Sequence, residues 1–472
     1  MLLASVPALV AHTYFASRGL AISPDSVNYL SGARSLLAGE GYLAMDGRHN
    51  SIHPPGLSVV LALGQVVTQL PVEQLAAVVN GIALLMACLA SARLVWAGAP
   101  ERSPLPSACA ALLVGLCPVV LLPASAVWSE PPFLALTLTA WALVLSPPRR
   151  RGRKEATPSA ARGWLVGVLL GVAALFRYAG VISVVATLGV LAVRRQWRDL
   201  PRVALSGLLP VAAWVWFNSR SGEAVGERPS SAAGPGEVLQ RAGTVLAQWF
   251  SPEWDGWPML VAGMLVTLAW VVLLVLGFRT LRGPYGIVLA LAVVVTAAVL
   301  VIRMGTALDG PDNRLLITAL PLVVVAATGV VSEAVGSRHR VVAGVAAVVV
   351  AAGALTGWAT MNRGASPPGK DPVVAMACQA PAGTLLVTNQ QSLMAHQCRR
   401  PVLAMPRVHP YASDEPVNDL PELQERTRGH CTWYVWIGPE QQGYYQPWPE
   451  VVRELDLDPH RFGEGQRAVV GC

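Results

Sequence analysis

Long apolar runs recur along this chain with few charges between them, and no other feature constrains its fold as strongly. Runs of 15 to 22 mainly apolar residues appear repeatedly, among them 290–302 with its flanks and 315–331. About 20 such residues form a helix that crosses a bilayer. Of the 472 residues, 53% are hydrophobic and 13% charged, against the roughly 25% charged of an average soluble protein. That is too little charge to cover a soluble surface of this size. The chain therefore reads as a mainly α, polytopic membrane helix bundle.

Spanning candidates lie at 1–16, 75–96, 105–123, 131–146, 163–176, 178–193, 202–218, 258–277, 284–302, 314–332 and 340–359, 11 in all. Basic short loops follow at 149–154 (RRRGRK), 194–198 (RRQWR), 279–282 (RTLR) and 337–340 (SRHR). Lys and Arg favour the cytoplasmic side, so these loops face inward. Parity then places 97–104 inside and 17–55, 219–257 and 362–472 outside, provided that the apolar stretch 56–70 enters the membrane without crossing it. Met1 opens within the first apolar run with no basic residue before it, which leaves open an earlier start or a short first helix.

From about 362 the chain becomes polar. TLLVTN (384–389), RPVLAMP (400–406) and CTWYVWIG (431–438) read as short strands, and QQSLMAHQC suits a helix. The expected division is a membrane region, 1–361, and a small external α/β domain, 362–472. Four of the seven Cys fall in this tail: Cys378, Cys398, Cys431 and Cys472. An even number in an oxidising compartment suggests two disulfides. Segments able to fold back favour Cys378–Cys398 with Cys431–Cys472, although four Cys allow three pairings. Cys88, Cys109 and Cys117 sit in apolar runs, where a thiol acts as a small hydrophobe.

The densest polar cluster, ISPDSVNYLSGARSLLAGEGYL (22–43), directly follows the first apolar run, and HNSIHPPG comes soon after. Ser23 suits an N-cap, Pro24 the first helical position and Asp25 the first turn. At helical spacing Val27, Leu30, Ala33 and Leu37 share one side, and Asp25, Asn28, Tyr29 and Gly32 the other. Such a helix is expected to lie on the outer membrane surface, apolar side down, with Arg34 snorkelling. By itself, an Asp here equally serves the helix dipole. There is no Walker loop, no G-x-G-x-x-G after a strand, no metal-spaced Cys/His set and no internal repeat.

An Asp just after the first transmembrane helix in PDSVNYLSGARSLLAGEGY, followed by HPPG, resembles the GT-C superfamily of integral membrane glycosyltransferases. Within it, the chain looks like the bacterial branch related to protein mannosyltransferases and aminoarabinose transferases. SAVWSEPPFLALTLTAWAL (125–143), GVLLGVAALFRYAGVISV (167–184) and DNRLLITALPLVVV (312–325) fit the same order. The resemblance implies a bacterial inner-membrane enzyme that moves a sugar from a polyprenyl-phosphate donor to a lipid, glycan or protein acceptor on the external face. It implies Asp25 as the catalytic carboxylate and Glu130 as a second acid facing the cavity. The family often places another acid beside the first, whereas position 26 is Ser, a departure that argues against a two-acid or metal-assisted first loop.

The chemistry independently suits this layout. Nucleotide sugars stay in the cytoplasm, so external transfer needs a lipid-borne donor. The enzyme then needs a cationic cradle for the leaving phosphate and a carboxylate for the acceptor's proton. Cradle and substrate-binding candidates are Arg177 with Tyr178 at the junction of two apolar segments, and Arg303, Asp312 and Arg314 around a short external loop. Tyr29, one turn beyond Asp25, and His53 complete the set. The competing roles are snorkelling for Arg177, an Asp312–Arg314 surface pair, dipole matching for Glu130, turn capping for His53 and belt anchoring for Tyr29. No metal, other cofactor or nucleic acid is expected, with a divalent metal left open. The rival classes are a transporter and an inactive scaffold of the same fold. Transporters favour internal repeats and mid-membrane charges, but the polar residues here gather at outer helix ends.

Overall fold

A computed structural model describes residues 1–98, 104–146, 160–220, 284–305, 317–334, 372–407, 419–437, 445–457 and 467–471, with Gly236, Val238 and Arg314 besides. Twelve helices make up the described part of the membrane region: α1 Leu2–Ala16, α2 Pro24–Ala38, α3 Gly56–Thr68, α4 Val72–Gly98, α5 Pro104–Leu116, α6 Pro118–Ala124, α7 Glu130–Leu145, α8 Ala160–Phe176, α9 Gly180–Val193, α10 Leu200–Ser219, α11 Pro284–Gly305 and α12 Ala319–Ala334. Their limits track the apolar runs closely. Among the described residues, α4, α10 and most of α11 are long and apolar enough to span a membrane alone, and α5 with α6 is a fourth such element bent by 54°. The remaining helices, apart from α2 and α6, are apolar but of 10–17 residues. The runs 258–277 and 340–359 lie outside the described residues. This is a membrane protein built mostly of helices.

Between helices in lipid the hydrophobic drive is weak, so close packing of small residues matters more. Gly163, Gly167 and Gly171 recur every fourth residue along α8, which packs against α10. A Cβ at Gly171 would sit 2.7 Å from the Ser206 carbonyl oxygen and 2.9 Å from that of Gly207. The bare backbone is what lets the two helices meet. Broken helices also need their freed carbonyls satisfied. Asn80 of α4, itself buried, does this past the end of α6, donating to the Ala126 oxygen at 2.6 Å and the Ala124 oxygen at 3.3 Å. Ala21 and Ala126 pair as an isolated parallel bridge, so the segment that leads into α7 is tied to the segment that leads into α2.

The tail forms a four-stranded sheet ordered β2-β1-β3-β4, from β1 Leu385–Thr388, β2 Leu403–Ala404, β3 Thr432–Trp436 and β4 Arg467–Gly471. β1 runs parallel to both neighbours, and β4 runs antiparallel to β3. The three expected strands are present, and the fourth is an addition. Helix α14 (Gln391–Cys398) fills the place expected for QQSLMAHQC; α13 (Pro372–Ala377), α15 (Leu420–Thr427) and α16 (Trp448–Glu454) complete this α/β unit. Cys378 and Cys398 form a disulfide. Cys431 is also disulfide-bonded, while Cys472, its expected partner, lies outside the described residues, as does the expected boundary at 361/362.

Helix α2 departs from the surface-lying arrangement. Val27 packs with Val374, Leu386 and Val435 of the α/β unit, whereas Tyr29, Leu30 and Ala33 join the core of the helical bundle. Both sides of the helix are therefore covered by protein. Arg34 does not snorkel but pairs with Glu73 at the start of α4, 2.6 Å away. The following loop is held in turn: the Val402 amide donates to the Met45 oxygen at 2.9 Å, Arg426 donates to the Asp46 oxygen at 2.8 Å, and Arg48 pairs with Glu422.

Candidate active site

Local sequence sets where α2 begins. Ser23 accepts the Ser26 amide at 3.3 Å, and the Ser26 hydroxyl accepts the Ser23 amide at 3.0 Å, a closed capping box with Pro24 at the first helical position. Ser26 is fully buried and committed to this cap. Asp25, beside it, points elsewhere, toward Arg314 and His53.

Arg314 Nη2 lies 2.5 Å from Asp25 Oδ2, and its Nε lies 2.5 Å from Glu130 Oε1. Arg177 Nη1 also reaches Glu130 Oε1 at 2.5 Å. Two acids and two guanidiniums thus form one network joining the start of α2, the start of α7, the α8–α9 junction and the segment before α12. Glu130 has no solvent exposure, and its Oε2 is buried without a hydrogen-bond partner among the described residues. The Arg314 guanidinium also rests over the Trp128 ring at 4.2 Å, and the Trp128 indole donates to Ser23 Oγ at 2.7 Å.

On its other side, Asp25 Oδ1 is 3.3 Å from His53 Nε2. His53 is buried against Tyr29, edge to face at 5.2 Å. The Tyr29 hydroxyl shares a hydrogen bond with Ser129 Oγ at 2.9 Å. Burial alone would push the Asp25 carboxyl up, but the hydrogen bond and charge that a protonated His53 presents to it, together with Arg314, hold it well below the usual carboxylate range. Burial, with the nearby charges of Glu130 and Asp25, pushes the Tyr29 phenol up, so it remains an O–H group. The Tyr178 hydroxyl donates to the Ser51 oxygen at 3.2 Å and accepts from the Trp214 indole at 3.0 Å, bracing the HPPG loop rather than joining the charge network.

Of the residues singled out from sequence, Asp25, Glu130, Tyr29, His53, Arg177 and Arg314 converge, and Tyr178 supports them from behind. Arg177 takes an acid partner in place of snorkelling, and Arg314 takes two. Arg303 lies near the end of α11 with its side chain outside the described residues, and Asp312 lies outside them altogether. The loop 219–257 is likewise almost wholly outside. Sequence reasoning missed Trp128, Ser129, Asn50 and Ser23 as members of the site. The first two lie within WSEPP, where an aromatic beside an acid at a helix start was the available signal.

Compared with solved structures, the chain superimposes over 99% of its length on ArnT from Cupriavidus metallidurans bound to undecaprenyl phosphate, covering 97% of that chain with a TM-score of 0.61 and 15% identity. It also matches the archaeal oligosaccharyltransferase AglB from Archaeoglobus fulgidus, solved with an inhibitory peptide and a dolichol-phosphate, with a TM-score of 0.58 and 12% identity over 91% of this chain and 69% of that one. The fold is that of the GT-C membrane glycosyltransferases. No family model and no curated protein matches the sequence.

A GT-C oligosaccharyltransferase from Archaeoglobus fulgidus has also been solved with zinc and sulfate, at a TM-score of 0.51 and 15% identity over 85% of this chain and 62% of that one. Both carboxylates already face guanidiniums, the position beside Asp25 is a capping Ser, and no group of three His, Cys, Asp or Glu side chains gathers among the described residues. In this GT-C fold, positive charge reaches the acids through Arg177 and Arg314.

Proposed function

We propose that the protein is a glycosyltransferase that moves a sugar from a polyprenyl-phosphate donor to an acceptor on the external face of the bacterial inner membrane. The α/β unit lies on that same side. The observation that carries this reading is the convergence of Arg177 and Arg314 on Glu130, with Asp25 beside them, on a GT-C fold.

In this reading, Asp25 and Glu130 neutralise the arginines until the donor's phosphate takes their place. The acceptor oxygen forms a bond to the anomeric carbon, and the bond from that carbon to phosphate breaks with its electrons on the lipid phosphate. Arg177 and Arg314, held in place by the network, stabilise that developing charge. Asp25, already ionised, takes the acceptor's proton. A carboxylate with so low a proton affinity is a weak base, and it suffices when the proton leaves late in the transition state. The acceptor is a lipid, glycan or protein, and no nucleic acid takes part.

The test is turnover of a polyprenyl-phosphate sugar by purified protein in detergent or proteoliposomes, followed by release of the polyprenyl phosphate. Release dependent on Asp25 supports the reading. No release with any polyprenyl-phosphate pentose or hexose, from protein that unfolds cooperatively, refutes it.

A further inference from the structure

We propose that His53 is the final acceptor of the proton released in the transfer, with Asp25 passing it on. The proposal rests on the glycosyl-transfer reading above and adds the destination of the proton.

The argument begins at Asn50. Its Oδ1 accepts the His53 backbone amide at 3.1 Å, so the oxygen, not the amide nitrogen, of Asn50 faces the imidazole. The same oxygen lies 3.4 Å from His53 Nδ1. The tautomer that satisfies this oxygen carries its hydrogen on Nδ1. In neutral imidazole the lone pair is then on Nε2, which faces Asp25 Oδ1 at 3.3 Å. An ionised carboxylate and a bare ring nitrogen repel at that distance, and one proton between them turns the repulsion into a charge-assisted hydrogen bond.

A proton that reaches Asp25 Oδ1 can therefore be held between the two atoms. Protons come and go from the pair as a unit. In the step itself the acceptor O–H proton passes to Asp25 Oδ1 and on to Nε2, while the new carbon–oxygen bond forms and the lipid phosphate leaves with the electrons of the old one. The imidazolium returns its proton to water after the products depart.

Among the described residues, the other charged and titratable groups facing the pair are Arg314 and Glu130 across Asp25, Arg177 beyond Glu130, Tyr29 beside the ring, and Tyr42, whose hydroxyl donates to the His53 carbonyl at 3.3 Å. Burial pushes both phenols up, so neither titrates alongside the pair.

The experiment is the pH dependence of turnover for purified wild type, His53→Gln and His53→Ala, the last with and without added imidazole. Wild-type turnover should fall on the acid side, because a pair that already holds its proton cannot take another. His53→Gln still donates a hydrogen bond to Asp25; it should be about 10²-fold slower and lack that acid limb. Imidazole should restore part of the His53→Ala activity, more so as pH rises. A merely positional His53 predicts the wild-type acid limb in the Gln variant and no rescue, and either result overturns the relay while wild-type turnover preserves the functional reading. Absence of wild-type turnover would remove both.

Discussion

Helix α7 begins at Glu130 and ends at Leu145, and arginines meet it at both ends, about 24 Å apart for a helix of this length. At the Leu145 end, the one expected to face inward, Arg162 donates to the Ser146 oxygen at 2.6 Å and Arg194 to the Val144 oxygen at 2.9 Å. These are carbonyls left without helical partners, in a place where the helix dipole favours cations. The acid there, Asp199, pairs with Arg202 three residues on at 2.8 Å. At the Glu130 end, the one expected to face outward, the guanidiniums meet carboxylates instead, and each comes from a different part of the chain. Arginine capping backbone is architecture. Opposite charges brought into one buried network from four separate elements desolvate groups that a stable fold alone does not require.

If the outer network is the catalytic one, damage there should far exceed damage at the inner end. The largest expected effect is that of Asp25→Asn, which keeps shape but removes the proton acceptor. Turnover of a polyprenyl-phosphate sugar should fall about 10²–10⁴-fold. Because the folded state holds this carboxyl below its ordinary range, it contributes stability above its unfolded pKa, and that stability is lost as pH falls. Acid unfolding below about pH 4 should therefore be steeper in wild type than in Asp25→Asn, as followed by circular dichroism.

Glu130→Gln comes next and should act on stability as well as rate. It leaves Arg177 and Arg314, with 16% and 24% side-chain exposure, facing no charge at that point. Breaking a buried pair costs about 3–5 kcal/mol, and the partial exposure of the arginines argues for the lower end. A Glu130→Gln/Arg177→Gln double variant should recover part of the loss, and simple additivity of the two would refute the pairing.

Arg177→Gln should weaken donor binding more than it slows the chemical step. Losing one charge-assisted hydrogen bond, about 1.5–3 kcal/mol, corresponds to roughly 10–150-fold in KM for the donor. An unchanged KM would take Arg177 out of the cradle. The smallest effect belongs to the inner end: Arg202→Ala, in a local pair three residues apart whose side chains keep 28% and 13% exposure, should cost about 1 kcal/mol in thermal unfolding and leave turnover intact. A large loss of transfer there would erase the contrast between the two ends.

Much of the bundle was legible because lipid imposes a simple rule: each spanning backbone must satisfy its own hydrogen bonds, so long apolar runs become helices. The limits of α4, α7, α8 and α10 fell close to the expected runs, and the first three strands of the tail fell within their expected segments. Capping of α2 by Ser23 and Pro24 was equally local and equally legible. The helix's surroundings were not. Its two-sided pattern suited a membrane surface, and only the tail, more than 340 residues away, covers Val27.

By itself, the sequence determined that the chain is a helical membrane protein, where most helices start and stop, and which polar residues lie at helix ends. These depend on local composition and on the bilayer. Tertiary structure decided which charges meet. Arg314 lies 289 residues from Asp25 and 184 from Glu130, and no periodicity reaches that far. The same holds for the Asn50–His53–Asp25 chain, since a ring nitrogen acquires its partner only when a turn and a distant helix start are folded against each other. A buried charge is tolerable only beside its counter-charge, so packing selected one arrangement among many that the sequence allowed.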